Sequence, residues 1–69
     1  MEMVSVVSTN VEQVGYDADT QVMAVRFKSG LYHYFDVPEL VYQELLASES
    51  KGTYLAANIK GRYAFMKVG

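Results

Sequence analysis

Apolar and polar residues alternate with a period of two through the first half of the chain, and the spacing turns helical after Pro38. Residues 21–28 alternate most cleanly, with Met23, Val25 and Phe27 facing one way and Arg26 and Lys28 the other, which predicts a half-buried strand. Residues 11–16 read as a strand before it, and residues 31–37, rich in aromatic and β-branched side chains, as one after it. Asp17, Asp19 and Thr20 supply turn chemistry between the first two, because short polar side chains bond nearby backbone amides. Ser29 and Gly30 do so between the second pair. Residues 1–10 form a weaker strand or arm through Val4, Val6 and Val7.

The turns predict a register. With Ser29 and Gly30 at the centre, Phe27 faces Tyr32, Arg26 faces His33 and Val25 faces Tyr34. With Ala18 and Asp19 at the centre, Tyr16 faces Gln21 and Val14 faces Met23. Both place Val14, Tyr16, Met23, Val25, Phe27, Tyr32 and Tyr34 on one core face. The other face then takes Val11, Gln13, Val22, Ala24, Arg26, Lys28, Leu31, His33 and Phe35.

Pro38 suits a first helical turn, and Glu39 suits the positive end of the helix dipole. Leu40, Val41, Leu45 and Leu46 make the apolar stripe, with Tyr42 at its edge, and the helix should end near residues 47–49. Gly52 breaks the chain, and residues 53–62 read as a second helix with Leu55, Ile59 and Tyr63 on one face. Residues 63–68 alternate again and can add a short last strand. The expected fold is α+β: a small antiparallel sheet of three to four strands with two short helices packed on one face. At 69 residues, residues 1–69 are expected to form a single domain.

Composition narrows the chemistry. A chain this short hides only about 60% of its unfolded surface, so its stability is marginal. With no cysteine it has neither disulfides nor thiolate zinc sites, and with one histidine it lacks an all-protein zinc set. Asp17, Asp19 and Asp36 lack the spacing of a calcium loop and read as turn and cap residues. No metal or cofactor is expected. Residues 1–8 have no basic leader, and no apolar run approaches the ~18 residues of a membrane span. A cytoplasmic protein without membrane contact is therefore expected.

The net charge of −2 is unevenly spread. Residues 1–50 hold all eight acids and only Arg26 and Lys28, a sum of −6, while residues 51–69 hold Lys51, Lys60, Arg62 and Lys67 and no acid, a sum of +4. Such a basic segment either faces an anionic partner or keeps a small helix soluble. Ser50-Lys51-Gly52 before a helix is suited to a phosphate or to simple capping, and it lacks the spacing of a P-loop. His33 has no serine, cysteine or carboxylate partner set by a motif, so no catalytic residue is assigned and a non-catalytic role is expected.

The order of these pieces resembles the KTSC domain family, whose name refers to the C-terminus of some lysyl-tRNA synthetases and which also occurs as free-standing bacterial and phage proteins. The resemblance rests on Gly15-Tyr16-Asp17, Phe27 with Gly30, the central Tyr32-His33-Tyr34, Val37-Pro38, Val41-Tyr42 with Leu45, Ser50-Lys51-Gly52, Tyr54, Ile59 and Tyr63. It spans about residues 5 to 67. The chain departs from the pattern at Leu55, where an aromatic often stands, and at Ala56, where an asparagine does. The resemblance implies the small α+β fold and points toward RNA binding. On that reading Lys51, Lys60, Arg62 and Lys67, helped by Arg26 and Lys28, contact phosphates, and His33 and Phe35 stack on bases. Tyr32 and Tyr34, turned toward the core by the register, come second as stacking residues. The alternative is a protein–protein module anchored by exposed Leu31, Phe35 and Tyr42.

Overall fold

A computed structural model describes all residues from Met1 to Gly69. Five strands form one antiparallel sheet in the order of the chain: β1 (Met3–Ser5), β2 (Val11–Asp17), β3 (Val22–Phe27), β4 (Gly30–Tyr34) and β5 (Phe65–Lys67). Two helices, α1 (Glu39–Ala47) and α2 (Lys51–Asn58), stand between β4 and β5 and pack on one sheet face. The α+β fold is as expected. The sheet gains a fifth strand because both the N-terminal arm and the last alternating segment pair, on opposite edges.

Both hairpins are offset from the predicted register by two residues. Tyr16 pairs with Met23 and Val14 with Val25, so the first loop is the four residues 18–21. It is held by the Asp19 amide donating to Asp17 Oδ1 at 3.0 Å, and Gln21 enters the left-handed region at φ 56°. In the second hairpin Phe27 pairs with Gly30 and Val25 with Tyr32, so Lys28 and Ser29 occupy the turn. Moving a turn centre by one residue shifts each antiparallel pairing by two, which leaves the paired side chains on their predicted faces, while Lys28, predicted opposite the core, lies in the turn and reaches the side of α2. Gly30, just after the turn, has the positive φ (146°) expected of it and serves a second purpose: a Cβ there would stand 2.6 Å from the Gly69 carbonyl oxygen and 2.7 Å from Lys67 Cε, so its absence lets the C-terminal strand close on β4.

Val11 is the exception to the faces. It was expected opposite the core, yet it is fully buried, because an irregularity between Val11 and Gln13 shifts the pairing with β3 by one residue. Such a bulge rotates everything before it to the other face.

The core joins Val11, Val14, Met23, Val25 and Tyr34 of the sheet to Val37, Tyr42 and Leu45 on the first helical side and to Leu55 and Ile59 on the second. In α1 the buried stripe is Tyr42 and Leu45, whereas Leu40 is 68% exposed. The helix begins one residue later than expected, with Pro38 as its extended N-cap, and Tyr42 points inward to stack on Tyr16 with ring centres 5.2 Å apart. Tyr42 is therefore unavailable as the exposed contact residue the sequence suggested. The Tyr16 hydroxyl donates to the Val37 carbonyl, tying β2 to the segment entering α1. Tyr54 of α2 donates to Glu44 Oε1 of α1 at 2.9 Å. Burial, and then this bond, push its phenol up from the usual value.

Two predictions follow from this core. Leu55 is completely buried, so Leu55→Ala should cost about 3 kcal/mol, a large part of the roughly 3–10 kcal/mol expected for a domain of this size. Urea unfolding monitored by circular dichroism would show the midpoint fall accordingly; a change under about 1 kcal/mol would contradict the packing described. The second concerns alkaline pH. Burial raises the phenols of Tyr34 and Tyr42, with the neighbouring Tyr32 adding to the shift of Tyr34. A raised folded value favours the neutral form, so this stabilisation is complete below the unfolded value of about 10 and is lost as pH rises through the folded ones. Thermal melts of a Tyr34→Phe/Tyr42→Phe variant should fall less between about pH 9 and 12 than those of the wild type. Equal slopes would refute the assignment.

Candidate nucleic-acid interface

The two helices leave a crevice where α2 crosses the sheet near its β3–β4 end. The first helical segment ends at Ser48, whose hydroxyl donates to the Leu45 carbonyl at 2.7 Å. The chain then turns through Glu49 into α2, where Ser50 Oγ accepts from the Thr53 amide at 3.3 Å as the N-cap. This places the start of α2 opposite the β1–β2 connection and the β3–β4 turn. A groove of about 1130 Å³ lies between them.

Three of the predicted phosphate-contacting residues meet there. Lys28 comes from the β3–β4 turn, Lys51 from the first position of α2 and Lys60 from just beyond its end. They share the groove with polar side chains of Ser8, Thr9, Asn10, Ser29 and Thr53, and with one carboxylate, Glu49. Three lysines against one glutamate leave the groove positive although the chain as a whole is acidic. The Lys51 ammonium donates to the Ser48 carbonyl, which holds it at the mouth of the groove with two protons left to donate. Lys60 Nζ lies 4.9 Å from the centre of the Phe27 ring, a cation–π contact that holds it over the end of β3.

The other basic residues are elsewhere. Arg62 folds back so that its Nε donates to the Ala57 carbonyl at 3.2 Å, which satisfies a carbonyl at the end of α2. Gly61, at φ 81°, supplies the left-handed turn that separates Lys60 from Arg62. Lys67 on β5 lies beside Gly30, adjacent to the Ser29 that lines the groove. Arg26 and His33 stand opposite Leu31 and Ala24, on the sheet face without helices. Phe35, just past β4, is half-buried, and its amide donates to the Ala64 carbonyl at 2.9 Å. The predicted basic set is thus divided between two faces.

A smaller groove of about 260 Å³ adjoins the first and shares Phe27, Ser29 and Lys60 with it. Tyr32, Tyr34, Gly61 and Phe65 complete its lining. Tyr34 is only 3% exposed and forms the floor, while Phe65 is 58% exposed and forms a wall. The Tyr32 ring meets Phe27 edge-on at 5.6 Å, and Phe65 lies tilted against both Tyr32 and Tyr34 at 6.0 and 5.8 Å. The sequence singled out the two tyrosines and missed Phe65. The sole signal for it was the alternation of residues 63–68, and only the pairing of Tyr34 with Phe65 carries it to the aromatic cluster.

No group of three or more His, Cys, Asp or Glu side chains is arranged to hold a metal, and no helix is long and apolar enough to cross a membrane.

Comparison with known proteins agrees with this architecture. A KTSC domain protein from Yersinia pestis superimposes with a TM-score of 0.96 at 32% identity, covering 99% of this chain and 97% of that one. A protein of Tsukamurella paurometabola is 40% identical over 62 residues, which is 88% of this chain and 92% of the relative. A lysine–tRNA ligase of Nostoc punctiforme is 38% identical over 56 residues, 80% of this chain but 10% of the ligase. The KTSC domain pattern itself matches residues 7–63, which take in strands β2 to β4 and both helices, and the chain belongs to the KTSC domain family.

Proposed function

We propose that this domain is a non-catalytic RNA-binding module that holds phosphates in the lysine groove. One observation carries the reading: Lys28, Lys51 and Lys60, far apart in sequence, converge on a single groove in an acidic chain. Three ammonium groups around an open, hydroxyl-lined channel suit a polyanion, whose phosphates they neutralise with release of counterions. The similarity to a segment of lysine–tRNA ligases supports an RNA partner, since those relatives are ligases of tRNA. Arg62 and Lys67 act at the margins of the groove. Arg26, His33 and Phe35 fit a second reading, protein contact through the helix-free face, which exposes Met66 and carries half-buried Leu31 and Phe35.

The readings respond differently to salt. Three phosphates held by three lysines predict a slope of about −2 in log affinity against log salt for single-stranded RNA, from about −0.7 per phosphate. Lys51→Ala should weaken binding at low salt and reduce the slope by about 0.7. Fluorescence anisotropy with a labelled RNA of about ten nucleotides, the upper-middle of the usual site sizes, would measure both. A slope near zero, or no binding at millimolar protein, would refute the proposal.

A further inference from the structure

We infer that the smaller groove receives one unpaired nucleobase, which makes single-stranded RNA the ligand class; this rests on the RNA reading above. The two grooves are joined through Phe27, Ser29 and Lys60. A strand whose phosphates run along the lysines therefore has an aromatic recess within reach of its next base.

The recess has the chemistry for it. Its exposed wall is Phe65, its partly buried wall is Tyr32, and its floor is the buried Tyr34 ring. The phenyl of Phe65 is packed on one side against Tyr32 and Tyr34, which fixes its plane, and is 58% exposed to solvent. A large ring packed on one side yet left open is poorly explained by core packing, because the core cluster does not include it. It is well suited to stacking, which contributes about 1–3 kcal/mol per base and accepts every base. Its volume of about 260 Å³ leaves room for a base beside Phe65. Lys60, at the junction, can meet the phosphate attached to that nucleotide while Phe27 holds its ammonium in place.

A duplex presents its phosphates to the lysines but keeps its bases in the helical stack. The recess therefore separates single-stranded from double-stranded RNA, which the lysines alone do not. It also assigns stacking to Tyr32 and Phe65 on the helix-bearing side, away from His33 and Phe35.

The test compares three probes, a ten-nucleotide single-stranded RNA, an RNA duplex of the same length and inorganic tripolyphosphate, against the wild type, Phe65→Leu, Phe65→Tyr and Lys51→Ala. Phe65→Leu keeps apolar bulk at an exposed site, and matching circular dichroism would verify its fold. The expected result is an affinity for the single strand about tenfold lower in Phe65→Leu and retained in Phe65→Tyr, with tripolyphosphate binding unchanged by either. The wild type should prefer the single strand to the duplex, and the Phe65 and Tyr32 ring resonances should shift with the single strand and not with tripolyphosphate. Equal single-strand affinities in wild type and Phe65→Leu, with a loss in Lys51→Ala, would overturn the base recess while leaving the phosphate groove standing. Absence of binding to all three probes would overturn both.

Discussion

The burial of Leu45, Leu55 and Ile59 against Val14, Met23 and Val25 is the interaction on which the rest of the molecule depends. The two helices have nine and eight residues, short of the roughly 12–15 needed for even a good helix former to persist alone. There is no disulfide to hold them. They exist because one stripe of each is removed from water by the sheet. The site inherits this arrangement: Lys51 opens α2, Lys60 follows its end, and Lys28 and Phe27 come from the hairpin beneath. The groove is the crevice left between a short helix and the sheet on which it rests.

The period-two alternation of residues 21–28 and the turn residues around it made the sheet faces legible. An error in turn position did not disturb them, because it changes antiparallel partners two at a time. What the pattern could not show were events depending on a neighbouring strand. Val11 reached the core through a bulge opposite β3, and Gly30 was needed for the approach of β5 as well as for the positive φ beside the turn. Tyr42 and Leu40 exchanged roles because the face of α1 turned to the sheet is set by packing, with Tyr42 stacked on Tyr16 of β2.

The site was legible in parts. The chain shows that its basic residues are concentrated at the C-terminal end, but their meeting points are set by long-range packing. Lys28, from the acidic part of the sequence, joins Lys51 and Lys60 because the β3–β4 turn points toward the start of α2. Arg62 is drawn to the Ala57 carbonyl, and Arg26 and His33 remain on the other face. Phe65 had no local mark of function; it joins Tyr32 and Tyr34 only when the last strand crosses back to β4. The central Tyr32-His33-Tyr34 run is therefore divided by its own alternation: Tyr34 into the core, Tyr32 to the recess and His33 to the opposite surface.

The central claim is that RNA lies on the helix-bearing side, with phosphates along the lysines and a base against Phe65. Intermolecular nuclear Overhauser effects with a short single-stranded RNA test it most directly. The account predicts contacts from base and ribose protons to the rings of Phe27, Tyr32 and Phe65. Contacts confined to Leu31, His33 and Phe35 on the opposite face would contradict it.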